Sequence, residues 1–286
     1  MTTTMTETGW TRFWNRGGWW RAVLLAVLYI ALYLGASAVT STLFAGLIDA
    51  DNLFDTGQSV FFAVALPILI GALLLLLFIW SVGWGGEIFG PQPIAGKRWM
   101  WIAVVLVLIP IVLHIAATDW GAIPADVIVA TLFMGLCIGV AEELLARGIA
   151  VNLLRKAGYG EKAVMVLSSA VFALLHSSNI FGGQPPLQVL LTLPFAFGFG
   201  LMMYLVLRVT RSIIWPILLH AATDPTTTLA AGGIGVGEAA GTASTSPLLP
   251  IAGIFGYVLL LAGLIAIIFV KGRVGDSDMR TTHAQL

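Results

Sequence analysis

With 59% hydrophobic and only 10% charged residues among 286, this chain falls outside the range of soluble domains, which carry about a quarter charged residues. Fourteen basic and fourteen acidic residues cancel, so no global charge imbalance points to nucleic acid. The one cysteine, Cys137, allows no intramolecular disulfide, and its place in an apolar run reads as packing.

The composition is that of an all-α polytopic membrane protein, since helices satisfy their backbone groups within the segment that crosses the bilayer. The chain begins with a short segment, 1–21, in which Trp10, Trp14, Trp19 and Trp20 read as interfacial residues at the headgroups. Apolar runs of spanning length follow at roughly 22–48, 59–82, 100–117, 126–157, 162–180, 187–207, 212–232 and 248–270. That makes about eight transmembrane helices within a membrane domain over 22–270, followed by a short tail, 271–286. The seventh run is the weakest, because Pro225 and a Thr- and Gly-rich stretch follow its polar centre; seven helices is the fallback. Ala36-Ser37-Ala38 resembles a signal-peptide processing site, but the apolar run continues to Ile48, which favours an uncleaved span. The loop 83–98 is rich in Gly and Pro and is expected to be irregular, and 225–247 is expected to be a mobile loop.

Basic residues cluster on alternate sides of successive spans. Arg12, Arg16 and Arg21 precede the first, Lys97 and Arg98 follow the second, and Arg155, Lys156 and Lys162 surround the turn between the fourth and fifth. Arg208 and Arg211 lie between the sixth and seventh, and Lys271, Arg273 and Arg280 follow the last. The intervening loops, 49–58, 118–125, 181–187 and 233–247, hold no Lys or Arg, so the positive-inside rule puts both termini in the cytoplasm. Acidic Asp49, Asp51, Asp55, Asp119 and Glu238 populate the opposite loops. Arginine outnumbers lysine ten to four, a bias that leans toward a GC-rich genome and a bacterial inner or plasma membrane.

Against this apolar background the run Ala141-Glu142-Glu143-Leu144-Leu145-Ala146-Arg147-Gly148 places three charges at spanning depth. Each costs at least ~2.5–3.5 kcal/mol at a bilayer centre, which marks a functional site. Glu143 and Arg147 are spaced i,i+4 and can neutralise each other, whereas Glu142 is rotated about 100° away and is left free. Ala157-Gly158-Tyr159-Gly160 is a helix-stop signal, so the fourth and fifth spans form an antiparallel hairpin centred near Tyr159. Glu142 stands seventeen residues before that centre and His176 seventeen after it, which puts both at one depth on neighbouring helices. On the seventh run His220 and Asp224 share a face at i,i+4, and Phe172 has the same relation to His176. His114 has no partner in the sequence and reads as structural, while Asp126 stands at a helix start, where an acidic group suits the dipole.

A carboxylate and two histidines at one level suit hydrolysis. Glu142 can serve as general base for a water that His176 also holds, with His220 and Asp224 stabilising an oxyanion. Equally, Glu142, His176 and His220 are candidate ligands of a divalent metal such as zinc that would activate the water. Proton or ion translocation also uses Asp, Glu and His chains, but here the polar groups are confined to three helices around one level.

These motifs, Glu142-Glu143 with Arg147, Phe172 with His176, and His220 with Asp224, resemble the signature of the CPBP intramembrane proteases, which include CAAX-processing enzymes of the Rce1 type and bacteriocin-immunity relatives. The resemblance covers roughly 126–232. It implies an intramembrane endopeptidase acting on membrane-associated proteins or peptides, with Glu142 as water-activating base, His176 sharing that water, and His220 with Asp224 as the oxyanion-stabilising pair. Glu143 and Arg147 would be supporting residues. Position 224 is Asp where the prenyl-protein-processing members have Asn, and a carboxylate donates no hydrogen bond unless protonated. That departure favours a role for Asp224 as metal ligand or as orienter of His220. The catalytic chamber is expected to open toward the cytoplasmic half of the bilayer. Alternative readings are a non-proteolytic scaffold or immunity protein that retains the motif, and an ion- or proton-coupled transporter.

Overall fold

The computed structural model describes residues 8–232 and 244–275, and among these there is no β-strand. A short helix α1 (Gly9–Asn15) leads into α2 (Trp19–Leu43). Then come α3 (Gly57–Val82), a one-turn α4 (Gly85–Phe89), α5 (Arg98–Ala117), α6 (Ala125–Lys156), α7 (Glu161–Gly182), α8 (Pro186–Thr210), α9 (Ile214–Ala231) and α10 (Leu248–Phe269). Seven of these, α2, α3, α5, α6, α7, α8 and α10, are long and apolar enough to cross a membrane. The eighth expected span forms as α9, but His220, Asp224 and the threonines at 226–228 dilute its apolar character.

Helix α6 is the axis of the bundle, with α9 on one side and α3 on the other, while α8 packs between α7, α10 and α5. The most apolar stretches of α6 and α8 are 61% and 56% buried, against 22% for α2 and α10, so α6 and α8 are the central pair. The peripheral helices turn Leu43, Trp80 and Ile268 outward, as lipid-facing side chains require.

Close approach of α6 and α9 is built into Gly135 and Gly139, a small-xxx-small pair on one face of α6. A Cβ on Gly139 would lie 2.7 Å from the Ile217 carbonyl and 2.8 Å from the Ala221 amide nitrogen, and one on Gly135 would strike the Pro225 ring. Pro225 does not end α9, which continues to Ala231; the expected loop therefore begins at Gly232, and its residues 233–243, with Glu238, lie outside the described residues. Arg280 and His283 also lie outside them. The expected turn at 157–160 is present, and it joins α6 and α7 as a hairpin.

Two further features depart from the sequence expectations. Trp14 is buried rather than lying at the headgroups, packed edge-on against Phe13 and Phe78 and 5.6 Å from the Trp10 ring. Gly17, with φ +62°, turns the chain there against the Leu153 carbonyl, where no side chain fits. In addition, the loop 83–98 contains α4, and its remainder docks as an extended strap on the end of α8. Gly96 and Gln92 donate backbone hydrogen bonds to the Arg208 and Arg211 carbonyls at 2.6 and 2.9 Å.

A buried ionic network ties that end together. Glu161 accepts two hydrogen bonds from Arg155, at 2.8 and 2.7 Å, one from Arg208 at 2.9 Å and one from the Tyr204 hydroxyl at 2.5 Å. Arg155 also donates to Gln92 at 2.6 Å, and the Glu161 amide donates to the Gly272 carbonyl. The hairpin turn, the strap, α8 and the segment after α10 thus meet around Glu161, the strap through Arg155 and Arg208 and the last segment through the Glu161 amide. Glu161 carried no signal in the sequence beyond its helix-start position.

Substitution Gly139→Leu is expected to push α9 off α6 and cost about 1–3 kcal/mol, seen as a lower thermal midpoint in detergent. Gly35→Ala, where a Cβ meets nothing within 4 Å, is expected to leave the midpoint unchanged or slightly raised.

Candidate active site

The three charges of α6 divide at a π-helical stretch, Leu144–Ala150, that follows directly after Glu142 and Glu143. Such wide turns within an α-helix are common where side chains are re-aimed for function. Glu143 and Arg147 are fully buried and paired at 3.0 Å, as their spacing implied. Arg147 is held further by a 3.0 Å hydrogen bond to the Gly200 carbonyl and by the face of Phe172, 4.3 Å from the guanidinium carbon. Gly200 makes that contact possible, since a Cβ there would lie 3.2 Å from an Arg147 nitrogen.

The Glu143 oxygen that takes Arg147 also accepts a 2.8 Å hydrogen bond from His220 Nδ1. The sequence reading treated Glu143 and Arg147 as a self-contained pair; the structure makes Glu143 a bridge from α6 to α9. With Nδ1 donating to Glu143, the other ring nitrogen of His220 faces Asp224 at 3.4 Å and Glu142 at 3.9 Å. The imidazole is buried between the edges of Phe172 and Phe199, at centroid distances of 5.6 and 5.0 Å. Its tautomer is read from these partners.

His176 is the first residue of a 3₁₀ stretch, His176–Gly182, into which α7 tightens after its regular part ends at Leu175. Its Nδ1 lies 3.2 Å from the Phe172 carbonyl, to which it donates, leaving Nε2 free for the cavity. The Phe172 ring is 5.1 Å away, so the expected wall beside the imidazole is present and serves both histidines.

Glu142, His176 and Asp224 line one cavity of about 480 Å³. Glu142 Oε2 is buried and finds no hydrogen-bond partner among the described residues. Two residues that the sequence reading passed over, Tyr29 and Tyr33, form another wall, with Ile68 and Ile138 beside them. Their i,i+4 spacing as the only tyrosines of an otherwise apolar span was the available signal. His114, expected to be unpartnered, meets Thr227 of α9 at 3.3 Å. Asp126 accepts from the Gly57 amide at 2.7 Å, so it caps a neighbouring helix rather than only its own.

The cavity is lined at one end by Leu53 and Phe54 before α3 and by Asn179, Gln184 and Gln188 around the α7–α8 turn, all at the end of the bundle away from the basic clusters. Toward the basic end, Leu144, Leu145, Ile149, Leu153 and Leu154 are fully buried and form a packed layer.

The metal reading has a geometric test in the donor set. Among the described residues no group of three or more His, Cys, Asp or Glu side chains is arranged to hold a metal ion. His220 Nδ1 is committed to Glu143, so its Nε2, 3.4 Å from Asp224 and 3.9 Å from Glu142, is the ring nitrogen left to face the cavity.

Residues 124–226 match the model of the Rce1-like family, type II CAAX prenyl endopeptidase. The matched region, a little over a third of the chain, contains Glu142, Glu143, Arg147, Phe172, His176, His220 and Asp224. Neither the curated proteins nor the solved structures yield a match. With the seven apolar helices, the family match supports a protease-type hydrolase integral to a membrane.

Removing one partner of the buried pair strands the other's charge. Arg147→Met is therefore expected to cost about 3–5 kcal/mol. Combining it with Glu143→Gln, which keeps an acceptor for His220, is expected to recover much of the loss in a double-mutant cycle of thermal unfolding.

Proposed function

We propose that the chain is an intramembrane endopeptidase that hydrolyses peptide bonds of membrane-associated proteins or peptides with a side-chain-activated water. The observation that carries this reading is the unpartnered Glu142 carboxylate facing the same cavity as His176 and Asp224, with His220 locked beside it.

Glu142 accepts a proton from a water that His176 Nε2 also holds, and the water oxygen attacks the scissile carbonyl carbon. The carbonyl oxygen becomes an oxyanion and takes a hydrogen bond from His220 Nε2. An imidazole with a carboxylate at each ring nitrogen donates from both, so Glu143 and Asp224 together keep a proton on the nitrogen that faces the cavity. Asp224 then acts by charging and aiming His220, which a carboxylate does well and which requires no donation from it. When the tetrahedral intermediate collapses, the C–N bond breaks and Glu142 returns its proton to the leaving amine. Atoms and charge balance: one water is consumed, and a carboxyl and an amino terminus appear. The buried Arg147 offsets the negative charge of Glu143, which otherwise would oppose a second carboxylate next door.

The transporter alternative would need a polar path through the bundle, whereas buried apolar side chains of residues 144–154 lie between the site and the basic end.

Purified wild-type protein reconstituted with host membrane proteins is expected to generate new protein termini that Glu142→Gln fails to generate, with a rate loss of about 10²–10⁴. Indistinguishable terminus profiles across good proteome coverage would sink the protease reading. His220→Gln is expected to lower the rate by about 10²–10³ while leaving thermal stability closer to wild type than Arg147→Met does. A stoichiometric divalent ion that disappears in His220→Ala would instead assign the water to a metal.

A further inference from the structure

The described lining of the cavity extends to one end of the bundle, and that end can be oriented. The lining residues at that end are Leu53 and Phe54 in the connection before α3, Asn179 in the last turns of α7, Gln184 in the α7–α8 connection and Gln188 in the first turn of α8. Neither connection contains a Lys or Arg, and the first carries Asp49, Asp51 and Asp55. The opposite end carries Lys97, Arg98, Lys156, Lys162, Arg211, Lys271 and Arg273, none of which lines the cavity. There Glu161 gathers Arg155, Tyr204 and Arg208, the strap at 90–97 crosses the end of α8, and the layer around Leu144, Leu145 and Ile149 separates all of this from Glu142. Short loops rich in Lys and Arg stay in the cytoplasm during insertion, and loops without them are translocated.

The lining away from the basic end also suits an extended polypeptide. Asn179, Gln184 and Gln188 offer amide donors and acceptors at the rim, while Tyr29, Tyr33, Phe54 and Ile68 provide apolar walls further in. Tyr29 additionally faces an apolar crevice of about 600 Å³ between α2 and α3, whose walls include Leu28, Leu32, Leu74 and Phe78. The cavity wall is therefore thin on the lipid side there, and a chain anchored in the bilayer lies close to the site without crossing the basic end.

Resting on the endopeptidase reading above, we propose that the site takes its substrate from the non-cytoplasmic face, so that the polypeptides cut are translocated segments of exported or membrane-anchored chains rather than cytoplasmic tails.

The test uses full-length protein in cells, with Cys137→Ala removing the only native cysteine and single cysteines placed at Gln184→Cys on the rim and Lys162→Cys at the basic end. A membrane-impermeant maleimide applied to intact cells (spheroplasts where an outer membrane is present) is expected to label Gln184→Cys at least ten times faster than Lys162→Cys. In inside-out vesicles the order is expected to reverse. Labelling of Gln184→Cys only in inside-out vesicles, or equally from both sides, overturns the proposal. Thermal midpoints near wild type exclude misfolding as the cause. Labelling needs no turnover, so the same pattern is expected in the Glu142→Gln background. A protein that fails to cleave anything can thus still pass this test, and an active protease can fail it.

Discussion

A single carboxylate oxygen holds the site together. Glu143 Oε1 receives Arg147 at 3.0 Å along its own helix and His220 at 2.8 Å across the α6–α9 interface. At this depth neither the glutamate nor the arginine is tolerable alone, because the desolvation of an unpaired ion costs several kcal/mol. The pair therefore forms, and once it forms it supplies an anchored acceptor for an imidazole. Gly135 and Gly139 let α9 come near enough for His220 to reach it, Gly200 lets α8 supply a carbonyl to Arg147, and Phe172 lies between the guanidinium and both histidines. What remains unpaired at the end of this chain of contacts is Glu142, aimed into the cavity.

The molecule has two polar centres with opposite consequences. At the basic end every partner of Glu161 is satisfied and buried, and the centre joins the hairpin, α8, the strap and the segment after α10. That arrangement specifies geometry and excludes solvent. In the middle, the centre is deliberately incomplete in a chemical sense: a buried carboxylate oxygen lacks a partner among the described residues, and His176 Nε2 is uncommitted. A fully satisfied network is rigid, and a partly satisfied one beside a cavity is where water or substrate completes the hydrogen bonding.

Much of this was legible from residue spacing. The apolar runs matched the long helices closely, because bilayer thickness sets their length. Turn chemistry at 157–160 located the hairpin, and equal counts from it correctly brought Glu142 and His176 to one cavity. Spacing within a helix also found the Glu143–Arg147 pair and the Phe172–His176 contact. It could not find Glu143–His220, which joins residues 77 apart across an α6–α9 approach that two glycines allow. Nor could it find the Glu161 network at the basic end, since Glu161 is a helix-start residue whose partners Tyr204 and Arg208 lie 43 and 47 residues away. Trp14 misled for a related reason: composition marks tryptophan as interfacial, but the Gly17 turn folds this one inward against Phe78.

The bridge at Glu143 is open to direct measurement by nitrogen NMR of the histidine-labelled protein in detergent or lipid. A strongly hydrogen-bonded, slowly exchanging proton on Nδ1 of one histidine is expected in the wild type, unaffected by His176→Gln, weakened by Glu143→Gln and absent in His220→Gln. A wild-type spectrum without such a proton, or one in which it is unchanged by Glu143→Gln, would contradict the arrangement on which the site is built.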